Sequence, residues 1–416
     1  MKFFHAADIH LDSPLRGLDR YEGAPADRLR GATRRALEAL VEACIAEAVD
    51  FLLIAGDLYD GDWTDYNTGL FFVRQMARLR EAGIRVFIVR GNHDAKSKIL
   101  RLPEGVTELS TSRAETVPLD DIGVAVHGRG YARAETTEDL AQTYPVPRSD
   151  YFNIGLLHTA AEGREGHAPY APCRVETLVQ KGYDYWALGH VHAREVLHEK
   201  QPWIVFPGNL QGRHARETGP KGASLVTVED GRVKSVEHRV LDVARWAVCQ
   251  VDASAARSPD DVLELCRAAL SNEVEAADGR VVCARIVLTG ASRAHAALVR
   301  DVGHWRGEIR GLANDLGEAW IEKVELRTRT PADLDALAQN DNPIGGLLKR
   351  LRFLRDDDDA LDKLGKELTD IVGKLPQEFF QGDAAAKITD LSVLRRIVDE
   401  LPDYLLPQLS GEGDEA

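Results

Sequence analysis

The chain has no CxxC pair: its five cysteines, Cys44, Cys173, Cys249, Cys266 and Cys283, are odd in number and scattered. That excludes a zinc knuckle and a disulfide framework, and fits reduced thiols in a cytoplasmic protein. Long hydrophobic runs are missing too. Stretches such as FLLIAG at 51–56 fall far short of the roughly 20 residues a membrane helix needs, so no membrane partner is expected. The opening MKFFHAADIHLD sets His5, Asp8 and His10 where a secretory signal would be apolar, so no leader is expected. Nor is there a basic balance. A net charge of -15 over 416 residues excludes a protein that coats nucleic acid. Residues 331–416 carry 10 Lys/Arg against 19 Asp/Glu, so most of the excess lies there. Any nucleic-acid surface is therefore expected to be local and within the first 330 residues.

The length calls for two or three domains. In the first half, strand-like and helix-like stretches alternate: KFFHAA, a helix over 26–49, FLLIAG, a helix over 68–83 stopped by Gly83, then RVFIVR. This is βαβ repetition, which predicts an α/β fold with parallel pairing at its centre. Further strands follow in IGVAVHG, YFNIGLLH, YDYWALGH and WIVFPG, and Asp230-Gly231 reads as the turn of a hairpin. The spacing places one domain over 1–240, a small α+β domain over 241–330, and a helical region with an acidic tail over 331–416.

Polar residues able to bind metal stand at one strand end after another. Asp8 and His10 follow the first strand, Asp57 the second, and Asn92 and His93 the third; His158 closes YFNIGLLH, and His190 and His192 follow YDYWAL. In open α/β sheets that edge is where sites are built. Residues i and i+2 of extended chain point the same way, so DxH and HxH can each turn both ligands to one ion. Asp, Asn and His without thiolate suit manganese, iron or zinc. Seven ligands exceed what one ion needs. With Asp57 as a bridge, Asp8, His10, Asp57 and His192 make one shell, and Asp57, Asn92, His158 and His190 the other. Such a pair of ions about 4 Å apart is built for phosphoryl chemistry. His93 need not bind metal and can protonate the leaving oxygen. Asp94 can orient His93 or brace the turn.

DIH, GDLYD, GNHD, GLLH and GHVH, in this order, resemble the five motifs of the calcineurin-like metallophosphoesterases. FHAADIHLDSPL, YDYWALGHVHAREV and PGNLQGRHARETGPKG are similar to one branch of them, the double-strand-break repair nucleases of the SbcD type, and closest to the bacterial YhaO-like exonucleases. The resemblance covers residues 1 to about 230. It implies a β-sandwich flanked by helices, two manganese ions and hydrolysis of DNA phosphodiesters. It also implies a capping domain, a helical region that binds an SMC-like coiled-coil ATPase of the SbcC type, and a homodimer. The pattern departs at Asp60, where archaeal and eukaryotic relatives carry a histidine linked to duplex DNA ends, so strand preference stays open.

Arg213, Arg216 and Lys221 form a locally basic loop that could grip DNA phosphates, or be an ordinary solvated loop. Leu347, Leu348, Leu351 and Leu354 offer a partner-docking face, or ordinary core. His5 and His127 read as structural, and His167 and His198 as surface residues. Two other functions stay open: a metallophosphoesterase acting on a phosphoprotein or cyclic nucleotide, and a non-catalytic scaffold of a repair complex.

Overall fold

The computed structural model describes residues 1–13, 29, 31–61, 66–96, 102–162, 170–372 and 390–409. His167 and the acidic tail from 411 onward lie outside them. The described residues divide into two compact units. The first takes Met1–Val248, Glu273–Ala284 and Glu318–Glu322, and the second takes Cys249–Asn272, Arg285–Gly317 and Lys323–Ala416.

The first unit holds two six-stranded sheets. One contains β1 (Lys2–Ala6), β2 (Phe51–Ala55), β3 (Arg85–Val89), β4 (Val106–Glu108), β11 (Gly222–Glu229) and β12 (Arg232–Val240), in the order β12-β11-β1-β2-β3-β4. The other contains β5 (Glu115–Leu119), β6 (Val124–Gly128), β7 (Phe152–His158), β8 (Tyr185–Gly189), β9 (Glu195–Glu199) and β10 (Trp203–Phe206), in the order β5-β6-β7-β8-β10-β9. Pairing is parallel at both centres, as the βαβ repetition predicts, and antiparallel at β5–β6, β9–β10, β1–β11 and β11–β12. The β11–β12 hairpin turns at Asp230 and Gly231, both with positive φ, which is the geometry an Asp-Gly turn supplies.

The sandwich follows from strand alternation. In β2, Leu52 and Ile54 pack with α1 (Ala32–Ala46) and α2 (Tyr66–Glu81), while Phe51, Leu53 and Ala55 enter the space between the sheets. There Phe3 stacks on Phe51 with ring centroids 4.9 Å apart and meets Tyr185 of the opposite sheet edge-on at 5.3 Å. The other face of the second sheet buries Leu157, Trp186, Leu188 and Phe206 with Leu140, Tyr144 and Leu178, the last on α3 (Val175–Gln180). Each fully buried large apolar side chain contributes about 1.5–3 kcal/mol. With both faces covered, the parallel strands read as continuous apolar runs, and their polar residues collect at the ends.

A three-stranded sheet, in the order β13 (Ala244–Asp252), β14 (Val281–Ala291), β15 (Ala319–Arg329), is accompanied in sequence by α4 (Pro259–Ala276), α5 (His295–Arg300) and α6 (Val302–Leu316). The helices α7 (Leu334–Gln339), α8 (Pro343–Asp356), α9 (Asp358–Val372) and α10 (Leu391–Leu409) belong to the second unit, while each strand of this sheet is divided between the two. Of the two readings of the leucines in α8, docking face or core, the structure shows the core: Leu348 and Leu351 are buried with Leu361, Leu394 and Val398, and Leu347 and Leu354 pack against the same cluster. Among the described residues no helix is long and apolar enough to cross a membrane.

Candidate metal centre

The sheet edge at the carboxyl ends of β1, β2, β3, β7 and β8 gathers every residue expected to bind metal. After β1 the chain runs beside the segment after β2: Asp8 N–H donates to Gly56 O at 3.0 Å, His10 N–H to Asp57 O at 3.0 Å and Leu11 N–H to Leu58 O at 2.8 Å. Asp8, His10, Asp57 and His190 all have φ between 45° and 106°, a left-handed region that side chains rarely occupy. Four such residues at one sheet edge mark a place where local strain is tolerated for the sake of the site. Gly56 is required for two reasons. Its φ is 89°, and a Cβ there would collide with the His158 ring.

Asp8, His10, Asp57 and His158 are almost fully buried, and Asn92 and His190 nearly so. Burial, then the charge of neighbouring Asp57, raises the Asp8 carboxyl well above the usual range; burial also raises Asp57. Burial pushes the His158 imidazole down to about 3, and it lowers His10 and His192 as well. Imidazoles held neutral and buried carboxyls whose charged form is disfavoured make a set short of positive charge.

Tautomers sharpen that conclusion. His158 Nδ1 meets Ala55 O at 2.9 Å, and a carbonyl only accepts, so the proton sits on Nδ1. Its bare Nε2 then faces Asn92 Oδ1 at 3.1 Å and Asp57 Oδ2 at 3.6 Å. Likewise His192 Nδ1 donates to Glu217 Oε1 at 2.7 Å, which turns a bare Nε2 toward His10 Nε2 at 3.4 Å and Asp8 Oδ1 at 3.8 Å. A cation at each group would satisfy the bare Nε2 atoms of His158 and His192 together with the carboxylate oxygens beside them. Asp57 Oδ2 faces both groups, lying 3.9 Å from His10 Nε2 as well as 3.6 Å from His158 Nε2. The residues thus fit two cations sharing Asp57. Asp8, His10 and His192 bring ligand atoms within 4.8 Å of one another, as do Asp8, Asp57 and His158. His190 donates its backbone N–H to Asp8, and its ring centroid lies 5.1 Å from that of His158, on the side of the second group.

His93 is the most open member of the cluster, with a side chain 34% exposed beside 22% for His192 and almost none for Asp8, His10, Asp57 and His158. Its Nδ1 lies 2.5 Å from Asp60 Oδ1, whose carboxyl is held below the usual range first by that hydrogen bond. Asp60 also accepts from Ser13 Oγ at 2.7 Å. Of the two roles read for Asp94, orienting His93 and bracing the turn, the structure shows the second, while Asp60 holds His93 Nδ1. Asp94 is buried, and it accepts from the backbone N–H groups of Leu58, Tyr59 and Gly91 at 2.9–3.2 Å, clamping the GDLYD and GNHD turns together. Burial and then Asp57 push its carboxyl up to about 7.

The basic loop is corrected. Lys221 is 7% exposed and its Nζ donates to His192 O at 2.9 Å, so it braces the HxH turn from inside. Arg213 pairs with Glu217 at 3.0 Å. Only Arg216 of the three is exposed. Glu217, which holds His192, is the site residue that motif reading missed, and Asp60, singled out there only as a departure from the family pattern, proves to pair with His93. The signal for Glu217 was present, because it stands four residues after Arg213 and cancels part of the loop's apparent basicity. His5 and His127 are structural: the first meets Tyr185 and Leu188 O at 3.0 Å each, the second Thr116 and Asn153 at 2.8 and 3.0 Å. His198 is tied to Pro202 O at 2.6 Å.

Residues 1–194 match the family model of the calcineurin-like phosphoesterases, and residues 246–329 match that of the middle domain of the metallophosphoesterase YhaO. The chain is 36% identical over 296 residues to an uncharacterized metallophosphoesterase, YhaO, of Bacillus subtilis strain 168, covering 70% of this chain and 72% of that protein. It is 28% identical over 280 residues to the DNA double-strand break repair protein Mre11 of Methanopyrus kandleri, covering 59% of this chain and 58% of that protein. The buried ligand set at five strand ends and these matches lead to one conclusion: the chain belongs to the calcineurin-like metallophosphoesterases, as a metal-dependent phosphoesterase of the kind that uses a dinuclear centre.

Proposed function

We propose that this enzyme is a DNA nuclease, exonucleolytic in mode, that hydrolyses phosphodiester bonds with two divalent ions, manganese in the first instance. The observation that carries the reading is the pairing of His93 with Asp60 at the open rim of the metal centre. It is supported by the alignment with the Methanopyrus repair protein, which takes in more of the chain than the 1–194 phosphoesterase segment does. Two divalent ions would supply Lewis acidity and an activated water at the Asp8–His10–His192 and Asn92–His158–His190 groups joined by Asp57. The chain's own part is at His93. Asp60 fixes Nδ1, which leaves Nε2 to reach a leaving group. As water oxygen bonds to phosphorus and the phosphorus–oxygen ester bond breaks, the sugar alkoxide takes the Nε2 proton. Buried Asp94 and Lys221 keep the two turns in place while this happens.

The test is nucleotide release from linear single- and double-stranded DNA in manganese, beside a p-nitrophenyl phosphodiester, a phosphoprotein and a cyclic nucleotide. Release from DNA and from the aryl diester is expected. Turnover of the phosphoprotein or cyclic nucleotide with none on DNA would replace this reading by the other phosphoesterase one, and no turnover at all would favour a scaffold.

The SMC-like coiled-coil ATPase is part of the proposal, with the helical region as its dock. Since the leucines are core, the exposed apolar residues Phe353, Ile397 and Tyr404 of these helices are the contacts offered to a partner. Changing Phe353 and Tyr404 together to Asp should abolish co-purification with the ATPase and leave aryl diester hydrolysis intact. Undiminished association would remove these residues as the dock.

A further inference from the structure

Arg213 belongs by sequence to a basic loop, yet its side chain is only 14% exposed and lies between two carboxylates. On one side Nη2 stands 3.0 Å from Glu217 Oε1 and Nε 3.4 Å from Glu217 Oε2. On the other, Nη1 stands 4.0 Å from Asp60 Oδ2. Each carboxylate in turn holds a histidine by Nδ1, Glu217 holding His192 at 2.7 Å and Asp60 holding His93 at 2.5 Å. Asn209 Nδ2 donates to Glu217 Oε2 at 2.9 Å, Arg213 N–H to the same oxygen at 2.7 Å, and Ser13 Oγ to Asp60 Oδ2 at 2.7 Å, while the exposed His214 lies 3.6 Å from Glu217 Oε1 and His10 Nδ1 3.9 Å from Asp60 Oδ1. Nη2 also lies 3.4 Å from His192 Nδ1, so the guanidinium fills the space between the two carboxylate–imidazole pairs.

We propose that Arg213 is a positioning residue that ties the leaving-group acid His93 to the metal ligand His192 through Asp60 and Glu217. The proposal rests on the reading of His93 as the acid. A planar guanidinium offers nitrogens on two sides and can serve two carboxylates at once; an ammonium is a single point charge on a flexible stem and cannot hold both in place. The cation also offsets two buried or half-buried negative charges beside a centre already crowded with acids. A cation that merely attracted DNA phosphates would have no need of this geometry, and lysine would replace it.

The test uses the full-length, manganese-loaded protein and its Arg213→Lys and Arg213→Met variants. Two small substrates separate the roles: a p-nitrophenyl phosphodiester, whose leaving group needs no proton, and a dithymidine phosphodiester, whose alkoxide does. Both variants should lose about 10–100-fold in kcat on the dithymidine ester and less than about 5-fold on the aryl ester, with KM little changed. Manganese binding followed by calorimetry should weaken about tenfold at one of the two sites, as when an outer partner of a ligating histidine is disturbed. Full kcat of Arg213→Lys on the dithymidine ester would overturn the proposal. So would a loss confined to long DNA with a flatter salt dependence, or an equal loss on both esters accompanied only by a lower melting temperature. Wild-type protein inactive on both esters would sink the function reading and the coupling together, whereas active wild type with a fully active lysine variant sinks the coupling alone.

Discussion

Asp57→Asn protein should emerge folded, depleted of metal at both sites and inactive. Asp57 Oδ2 is the one oxygen that faces His10 and His158 together, so neither acceptor group is complete without its charge. Its other oxygen accepts the His93 backbone N–H at 2.9 Å, and the asparagine carbonyl can keep that bond while the variant holds its shape. In the metal-free protein the substitution also removes the Coulombic pressure that Asp57 exerts on buried Asp8 and Asp94. The melting temperature in chelator should therefore hold or rise, while turnover falls by more than about 100-fold, beyond the range reached by disturbing outer partners of metal ligands. Elemental analysis and a melting curve decide it. Two equivalents of metal in an active Asp57→Asn enzyme would end the bridging assignment, and a chelator melt far below wild type would show the residue to be chiefly structural.

His93→Ala should fail in a different way. His93 is the most exposed ring of the cluster, and its hydrogen-bonding partner is Asp60, outside the two groups that converge on Asp57 Oδ2. Metal content should stay at the wild-type level. Turnover of DNA and of the dithymidine ester should fall by about 100-fold or more, the usual size of a lost general acid. On the p-nitrophenyl ester the loss should be much smaller, because p-nitrophenolate leaves without a proton. Asp60→Asn should show the same leaving-group pattern at smaller size, since it leaves the acid in place and releases only its grip on Nδ1. A parallel loss of metal in His93→Ala would make His93 a ligand, a reading its place near His10, with ring centroids 5.0 Å apart, makes worth measuring.

The two predictions share a premise that came from sequence and a partner that did not. That polar residues close strand after strand could be read directly, because a strand buried on both faces must be apolar throughout and can change character only at its end. The i, i+2 spacing of Asp8 with His10 marked two residues that reach one group, whereas His190 and His192, spaced alike, part between the two groups, a division that came from the fold. The parallel centre and the Asp230-Gly231 hairpin were legible from local pattern.

Who holds whom was decided only in three dimensions. Asp94 follows His93 in the chain but clamps the backbone of Leu58, Tyr59 and Gly91, while Asp60, far back in sequence, takes His93. Lys221 and Arg213 look like a DNA-facing loop on paper, yet the start of β11 draws Lys221 inward to His192 O, and Glu217 draws Arg213 under the metal centre. The leucines of α8 carry a periodicity that fits a partner's groove as well as the protein's own core, and only the arrival of α10 shows which. The periodicity and spacing of a chain are set by its own backbone, so sequence determined the family, the strand ends and the residues able to bind metal there. A charged or apolar side chain settles on whatever the packed fold brings within reach, and that choice belonged to the tertiary structure.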